Sequence, residues 1–496
     1  MRHEERGETA LKTIDPRTGP IRKPVRGVLF SAVCLGLFAG SVSGADANRQ
    51  RIRPWEKNPR YWQYKGDPVL LVGGSKDDNL FQLPDLEKHL DEIKGVGGNF
   101  VRNTMSDRPD KGFEVYPYEK RADGKYDLNR WNVEYWRRFE NFLRWTGERG
   151  IFVQIEVWDR FDHSQENWEA HPYRPANNVN YSASSSGLGN RYPAPAWRDR
   201  QPFFHTVPGM PLYKKPLDVV RKVQERFVAK LLSYSLRHGH VLYCMDNETS
   251  TPPAWGRSWI AFIEAEARKA GVSVYCTDMF DKGFEPERTK SFAQVFADPG
   301  VYKFIELSQI NSRLFNEAQW TKLRWVMKQV EKHPRPVNHV KIYGSGETKW
   351  GSGTPTDGVE RMWRDLLAGS AAVRHHRDGG GIGLQPPARA CIQAVRKVET
   401  LVKFWEVTPH QELLGDREPD EAYLTARPGD RYVLYFTQGG AVSLNLGGHP
   451  GDYRLKWVNV STGEWGEEAR IAGGRVVPIT APGKSPYVAV IVRQPQ

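Results

Sequence analysis

From residue 69 onward the chain repeats one pattern, a short apolar β-favouring run followed by an amphipathic stretch. The runs are "VLLVGG" (69–74), "NFVRN" (99–103), "IFVQIEVWD" (151–159), "VLYCMDNE" (241–248), "VSVYCTDM" (272–279), "YKFIELSQ" (302–309), "HVKIYGSGE" (339–347) and "SAAVRHH" (370–376). Apolar residues at helical spacing predict helices over 83–97, 131–150, 216–239, 257–270, 316–333, 358–368 and 387–405. The stretch 216–239, for instance, carries Val219, Val220, Val223, Phe227, Leu231 and Leu232. Strands joined by helical crossovers pair in parallel, and their helices cover the sheet. Eight such units favour closure into a (β/α)8 TIM barrel, a fold whose chemistry sits at the C-terminal ends of the strands. The polar residues that end each run are therefore the functional candidates.

Other segments flank this pattern. The barrel is expected over 54–408. From 409 to 496 short alternating strands with Gly, Pro and Asn turns replace the helices, which predicts a C-terminal all-β sandwich. Residues 160–213, rich in Asn, Ser, Pro and aromatics, form a long insertion after the third strand. Loops of that length in a compact domain tend to be functional, and this one is expected to wall the barrel mouth. At the N-terminus, "RKPVRG" (22–27), "VLFSAVCLGLFAG" (28–40) and "SVSGADA" (41–47) have the order of a signal peptide, giving a signal and extension over 1–47. Retention as an anchor is the alternative. No other stretch is long and apolar enough to cross a bilayer, so a secreted or periplasmic protein without stable membrane association is expected after cleavage.

Composition narrows the partners. The net charge is +12, but acids and bases are interspersed, with no basic stripe of the kind that follows phosphates, so nucleic acid is not an expected partner. A mildly basic exterior fits a solvated surface, or an acidic substrate such as a uronate or sulfated glycan. The 17 Trp fit core packing or the lining of a sugar cleft. Cys244, Cys276 and Cys391 do not make a disulfide framework, and neither CxxC nor HExxH occurs. No metal or cofactor is expected.

The strand ends supply the chemistry. The second carries Arg102 and Asn103; the third Glu156, Trp158 and Asp159; the fourth Asp246, Asn247 and Glu248; the fifth Asp278. The sixth carries Glu306, Gln309 and Asn311; the seventh Glu347; the eighth Arg374, His375 and His376. Glu248 and Glu347 fall across the barrel from each other. Two carboxylates on one rim are what glycoside hydrolysis requires, one to protonate the leaving group and one to act as nucleophile or base. Glu156 and Glu306 are the alternatives to Glu347, with interior ion pairs as their other role. Asp246 suits an orienting or helix-capping role better than a catalytic one. His375 and His376 are hydrogen-bonded rim residues or metal ligands.

In these motifs the chain resembles clan A of the glycoside hydrolases. "YCMDNET" is similar to the clan's Asn-Glu signature on strand four, "GSGET" to its strand-seven glutamate and "NFVRNT" to its strand-two arginine. "NPRYWQYKGDPVLLVGGS" with "LDEIKGVGGNFVRN" resembles the cellulase-like and apiosidase-like barrels, and the tail resembles the collagen-binding domain that often follows them. The resemblance implies a retaining mechanism on a carbohydrate substrate, with Glu248 as acid/base and Glu347 as nucleophile. It also implies that Arg102 keeps the nucleophile ionised and that Asn247 binds the sugar 2-hydroxyl. Trp158, Trp255 and Trp350 are expected to stack on sugar rings; Asp246, Gln309 and His375 complete the expected substrate contacts. As the acid, Glu248 is expected to have its pKa raised by burial and by Glu347. Two departures stand out: no tyrosine closes the sixth strand, where Gln309 or Asn311 would substitute, and "RHH" replaces a tryptophan on the eighth. A non-catalytic glycan- or matrix-binding protein on a degenerate barrel is the alternative function.

Overall fold

The structure is a computed structural model. It describes residues 48–495 apart from 107, 109–110, 193–200, 282–284, 286–289 and 347–350. The expected signal segment, Glu347 and Trp350 thus lie outside the described residues.

Eight strands follow one another with helices between them: β1 (Leu71–Gly74), β2 (Phe100–Thr104), β3 (Phe152–Asp159), β4 (Val241–Asn247), β5 (Cys276–Thr277), β6 (Ile305–Glu306), β7 (Val337–Ile342) and β8 (Ala372–His375). Pairing is parallel throughout, in two runs of order β5-β4-β3-β2 and β6-β7-β8-β1. Backbone bonds close both seams: Asn99 N donates to Val72 O at 2.8 Å, and Lys303 N to Cys276 O at 2.9 Å. At the first seam Gly73 is needed, because a Cβ there would overlap the Phe100 carbonyl.

The helices are α1 (Leu86–Gly95), α2 (Val133–Arg149), α3 (Leu217–Ser235), α4 (Ala254–Lys269), α5 (Lys290–Ala297), α6 (Asn316–Val330), α7 (Pro355–Ala368) and α8 (Pro386–Glu399). Their ends follow from local chemistry. The Asn132 side chain accepts from Glu134 N to start α2, and Gly150 ends it in the left-handed region at φ 68°. A reciprocal Thr354–Asp357 box with Pro355 in the first turn starts α7. Helix α5 lay in a stretch for which the sequence predicted none, and β5 and β6 are shorter than their apolar runs.

Two additions complete the chain. Strands Arg53–Trp55, Asn58–Tyr64 and Asp67–Val69 form an antiparallel sheet turned at Lys65–Gly66, both with positive φ. Its Trp62 is fully buried, donates from Nε1 to Asn338 Oδ1 at 3.0 Å near the start of β7, and lies edge-on to Phe304. The sheet thereby closes the N-terminal end of the barrel.

The tail is all-β: a six-stranded antiparallel sheet, with a three-stranded sheet of Leu414–Gly415, Ala441–Asn445 and Val476–Thr480. Alternation assigns its faces. In Arg431–Phe436, Tyr432, Leu434 and Phe436 enter the sandwich core, while Val433 and Tyr435 join the barrel's apolar core. Tyr435 stacks on Trp363 of α7, and Arg364 pairs with Asp420 at 3.1 Å.

Candidate active site

A cavity of about 400 Å³ opens at the C-terminal ends of the strands. Its described wall includes Asp78, Arg102, Arg108, Arg160, Phe161, Asn247, Glu248, Asp281, Gln309, Lys341, Tyr343 and Arg377. At its centre is Glu248, the residue after β4. Glu248 holds φ at 65°, a left-handed conformation that costs a non-glycine residue energy and recurs at functional positions. The next residue is fixed by its neighbours: Thr249 N donates to Met279 O at 2.6 Å, and Asp281 N donates to Thr249 O at 2.9 Å. This lacing brings the loop after β5, and with it Asp281, beside Glu248.

Both carboxylates meet one nitrogen. Arg160 Nη2 lies 2.9 Å from Glu248 Oε2 and 3.2 Å from Asp281 Oδ1. The other oxygen of Glu248 accepts from Lys341 Nζ at 2.8 Å, and that ammonium also donates to Asn247 Oδ1 at 2.6 Å. Burial acts to raise the Glu248 carboxyl's pKa, but Lys341 and Arg160, with a smaller contribution from Gln309, outweigh it and hold the group below the ordinary carboxylate range. The expected rise is therefore reversed. Sequence reasoning weighed burial and the Glu347 charge and missed two cations: Lys341 lies inside an apolar strand run, and Arg160 is the first residue of the insertion.

The other expected contacts separate into three groups. Gln309, Asn247 and Arg102 line the cavity. Asn247 is committed on both sides, donating from Nδ2 to Asp159 Oδ2 at 3.0 Å and accepting from Lys341. Arg102 forms a two-bond fork with Glu156, at 2.6 and 2.5 Å, and meets Asp78 at 2.5 Å. Its described carboxylate partners are therefore these two.

A second group lies behind the wall. Glu156 is fully buried against Arg102, and burial raises its pKa. Glu306, buried among Gln154 and Ser308, is pushed by burial up to about 7. Neither alternative nucleophile reaches the cavity. Asp246 accepts from Arg160 N at 3.1 Å, so it orients the residue that holds Glu248 rather than touching substrate.

The third group is packed elsewhere. Trp158 is buried among Phe203, Phe227, Trp255 and Trp259, so neither Trp158 nor Trp255 offers a sugar platform. His375 is fully buried and its neighbour His376 lines the cavity instead. No group of three or more candidate metal ligands occurs among the described residues. Of the insertion, only Arg160 and Phe161 line the cavity among the described residues; much of the remainder packs through Trp168, Tyr173, Phe203 and Phe204.

Fold and site together define a closed (β/α)8 barrel with a C-terminal β-sandwich and an acid-bearing cavity at the C-terminal ends of its strands. No protein-family model matches the chain, and no curated protein matches it. Solved structures do. A glycoside hydrolase family 5 protein from Bacteroides vulgatus aligns over 90% of this chain and 93% of its own, with 14% identity and a TM-score of 0.59. A second structure, named glycoside hydrolase, aligns over 90% and 97%, with 14% identity and a TM-score of 0.62. Over nine-tenths of its length the chain thus shares the fold of these glycoside hydrolases.

Proposed function

We propose that this protein is a glycoside hydrolase, exported by its N-terminal segment, that cleaves an oligo- or polysaccharide with retention of configuration. The observation that carries the reading is Glu248. It stands at the end of β4, in a strained backbone conformation, and presents its carboxylate to a cavity with a second acid at the same guanidinium. The fold shared with glycoside hydrolases supports it. Glu248 takes the acid/base role and Glu347 the nucleophile role. For retention their carboxyls must stand about 5–5.5 Å apart, which lets Glu347 attack the anomeric carbon directly.

Glu248 must gain a proton before it can assist a leaving group. With Lys341 and Arg160 in place that gain has to accompany substrate binding. Asn247 likewise has to exchange a present partner for a sugar hydroxyl. These ion pairs favour the second reading, a barrel that binds glycans without cleaving them. Product analysis on a panel of oligosaccharides decides between them. Release of reducing ends by the parent chain, with loss in both Glu248→Gln and Glu347→Ala and partial rescue of the latter by azide, supports the hydrolase. Binding without turnover by the folded parent supports the alternative.

A further inference from the structure

More cations than acids line the cavity: Arg102, Arg108, Arg160, Arg313, Lys341 and Arg377 against Asp78, Glu248 and Asp281 among the described residues. Two of these cations are also paired behind the wall, Arg102 with Glu156 and Arg108 with Asp159 and Asp162. Neutral sugars are commonly held by aromatic faces and by uncharged or paired polar groups. Here Phe161, Tyr343 and His376 are the described aromatics, and cations outnumber acids.

Two local arrangements sharpen this. Arg160 is 2% exposed and gives one nitrogen to two carboxylates, while its Nε and Nη1 donate to no acceptor among the described residues. Buried donors without acceptors are costly, and on a cavity wall a ligand can supply the acceptor. On the Asp78 side, one carboxylate is approached by three guanidinium groups: Arg102 at 2.5 Å, Arg374 at 3.1 Å and Arg377 at 3.3 Å. Glu156 engages the other edge of Arg102, but Arg377 stays partly open at the mouth, with 35% of its side chain exposed.

We propose that the substrate is an anionic glycan, and that its carboxylate or sulfate group is received by guanidinium groups of this cavity, Arg160 within and Arg313 and Arg377 at the mouth. This inference rests on the glycosidase reading and names its substrate class. Guanidinium forks match the planar oxygens of both anions. An anion at Arg160 also offsets part of the positive charge facing Glu248, the condition that its acid role requires.

Binding tests this independently of turnover. Calorimetry on the full chain would compare uronic-acid oligosaccharides, sulfated oligosaccharides and neutral oligosaccharides of equal length, in low and high salt. At least one anionic series should bind about tenfold tighter than the neutral one, and salt should weaken it by screening. The series that binds identifies carboxylate or sulfate as the group recognised. Arg313→Gln/Arg377→Gln should weaken anionic binding about tenfold and leave neutral binding and the melting temperature unchanged. Equal binding of neutral and anionic series, salt-independent binding, an unaffected double variant or no binding by any series would overturn the inference. Tight anionic binding without cleavage would sustain it and defeat the hydrolase. Cleavage of neutral glycans with no anionic preference would do the reverse.

Discussion

The two ends of this barrel are built from different materials. At the N-terminal end an antiparallel sheet presses Trp62 under the strands, its ring against Phe304 and its Nε1 bonded to Asn338. There the Trp62 ring is packed among apolar groups and its one polar atom is partnered. At the C-terminal end, Arg102, Glu156, Asp246 and Asp278 are buried, and Glu248 holds a positive φ. Buried charge costs free energy that ion pairing offsets only in part, and a strained backbone adds to it. The contrast separates two duties. The closed end holds the strands together, so the open end can carry unfavourable groups in the positions that recognition and chemistry need.

The sharpest way to break this division is to exchange the effects. Glu248→Gln should lower turnover by about 10³-fold on natural glycosides and less on substrates with good leaving groups. Because it leaves Lys341 and Arg160 facing an uncharged amide, a modest fall in melting temperature should accompany the loss. Steady-state kinetics and thermal unfolding on the same preparation read both. Full activity would remove Glu248 from the mechanism. At the other end, Trp62→Ala should cost about 3–5 kcal/mol of stability, as expected for a fully buried aromatic. Its KM should not change. A changed KM in a variant that melts normally would show that the two ends are coupled.

Lys341→Gln sharpens the open end alone. Removing the ammonium lets the Glu248 carboxyl rise toward its ordinary pKa, since Lys341 is the larger of the two cations' effects. If Glu248 is the acid, the alkaline limb of kcat/KM should move to higher pH, because the protonated form persists longer. If it acts only as a base, the acid limb should move up instead. A profile that keeps both limbs in place would show that Lys341 does not control this group.

The division also explains what could be read from sequence. The eight strands were legible because each is a short, buried and largely apolar β-favouring run, separated from the next by helical periodicity. The sheet that closes the barrel was not, since Arg53–Val69 is too short and mixed to declare where it packs. Glu248 and Asn247 were legible as polar residues ending an apolar strand. Lys341 was not singled out, because one lysine inside "HVKIY" reads as an outward residue until the facing strand is known. Trp158 misled for a related reason. It lies two residues beyond the inward-facing Glu156 yet packs against Phe227 of α3 and Trp259 of α4, so strict alternation does not hold at the end of β3. Asp281 came to the site through the Thr249 backbone bonds, which no local pattern announces.

The smallest effect expected concerns Asp278, buried behind the wall rather than on it. Its Oδ1 accepts from Thr249 Oγ1 and from Met279 N, the latter at 3.0 Å, and burial pushes its pKa up to about 7. The folded protein thus keeps a proton that the unfolded chain, with a carboxyl near about 3.9, gives up earlier. The stability tied to that proton is fully present below the unfolded value and is lost as pH rises from about 4 to about 7. Asparagine keeps the Oδ1 acceptor and cannot ionise. The melting temperature of Asp278→Asn, measured against the parent, should therefore improve by a few degrees at most across that window and stay level above it. Glu306 loses stability in the same direction, but it is present in both proteins and cancels in the difference. A difference that is constant from pH 4 to 7 would mean that Asp278 stays ionised in the fold, and that this end of the barrel tolerates unpaired charge more readily than its burial implies.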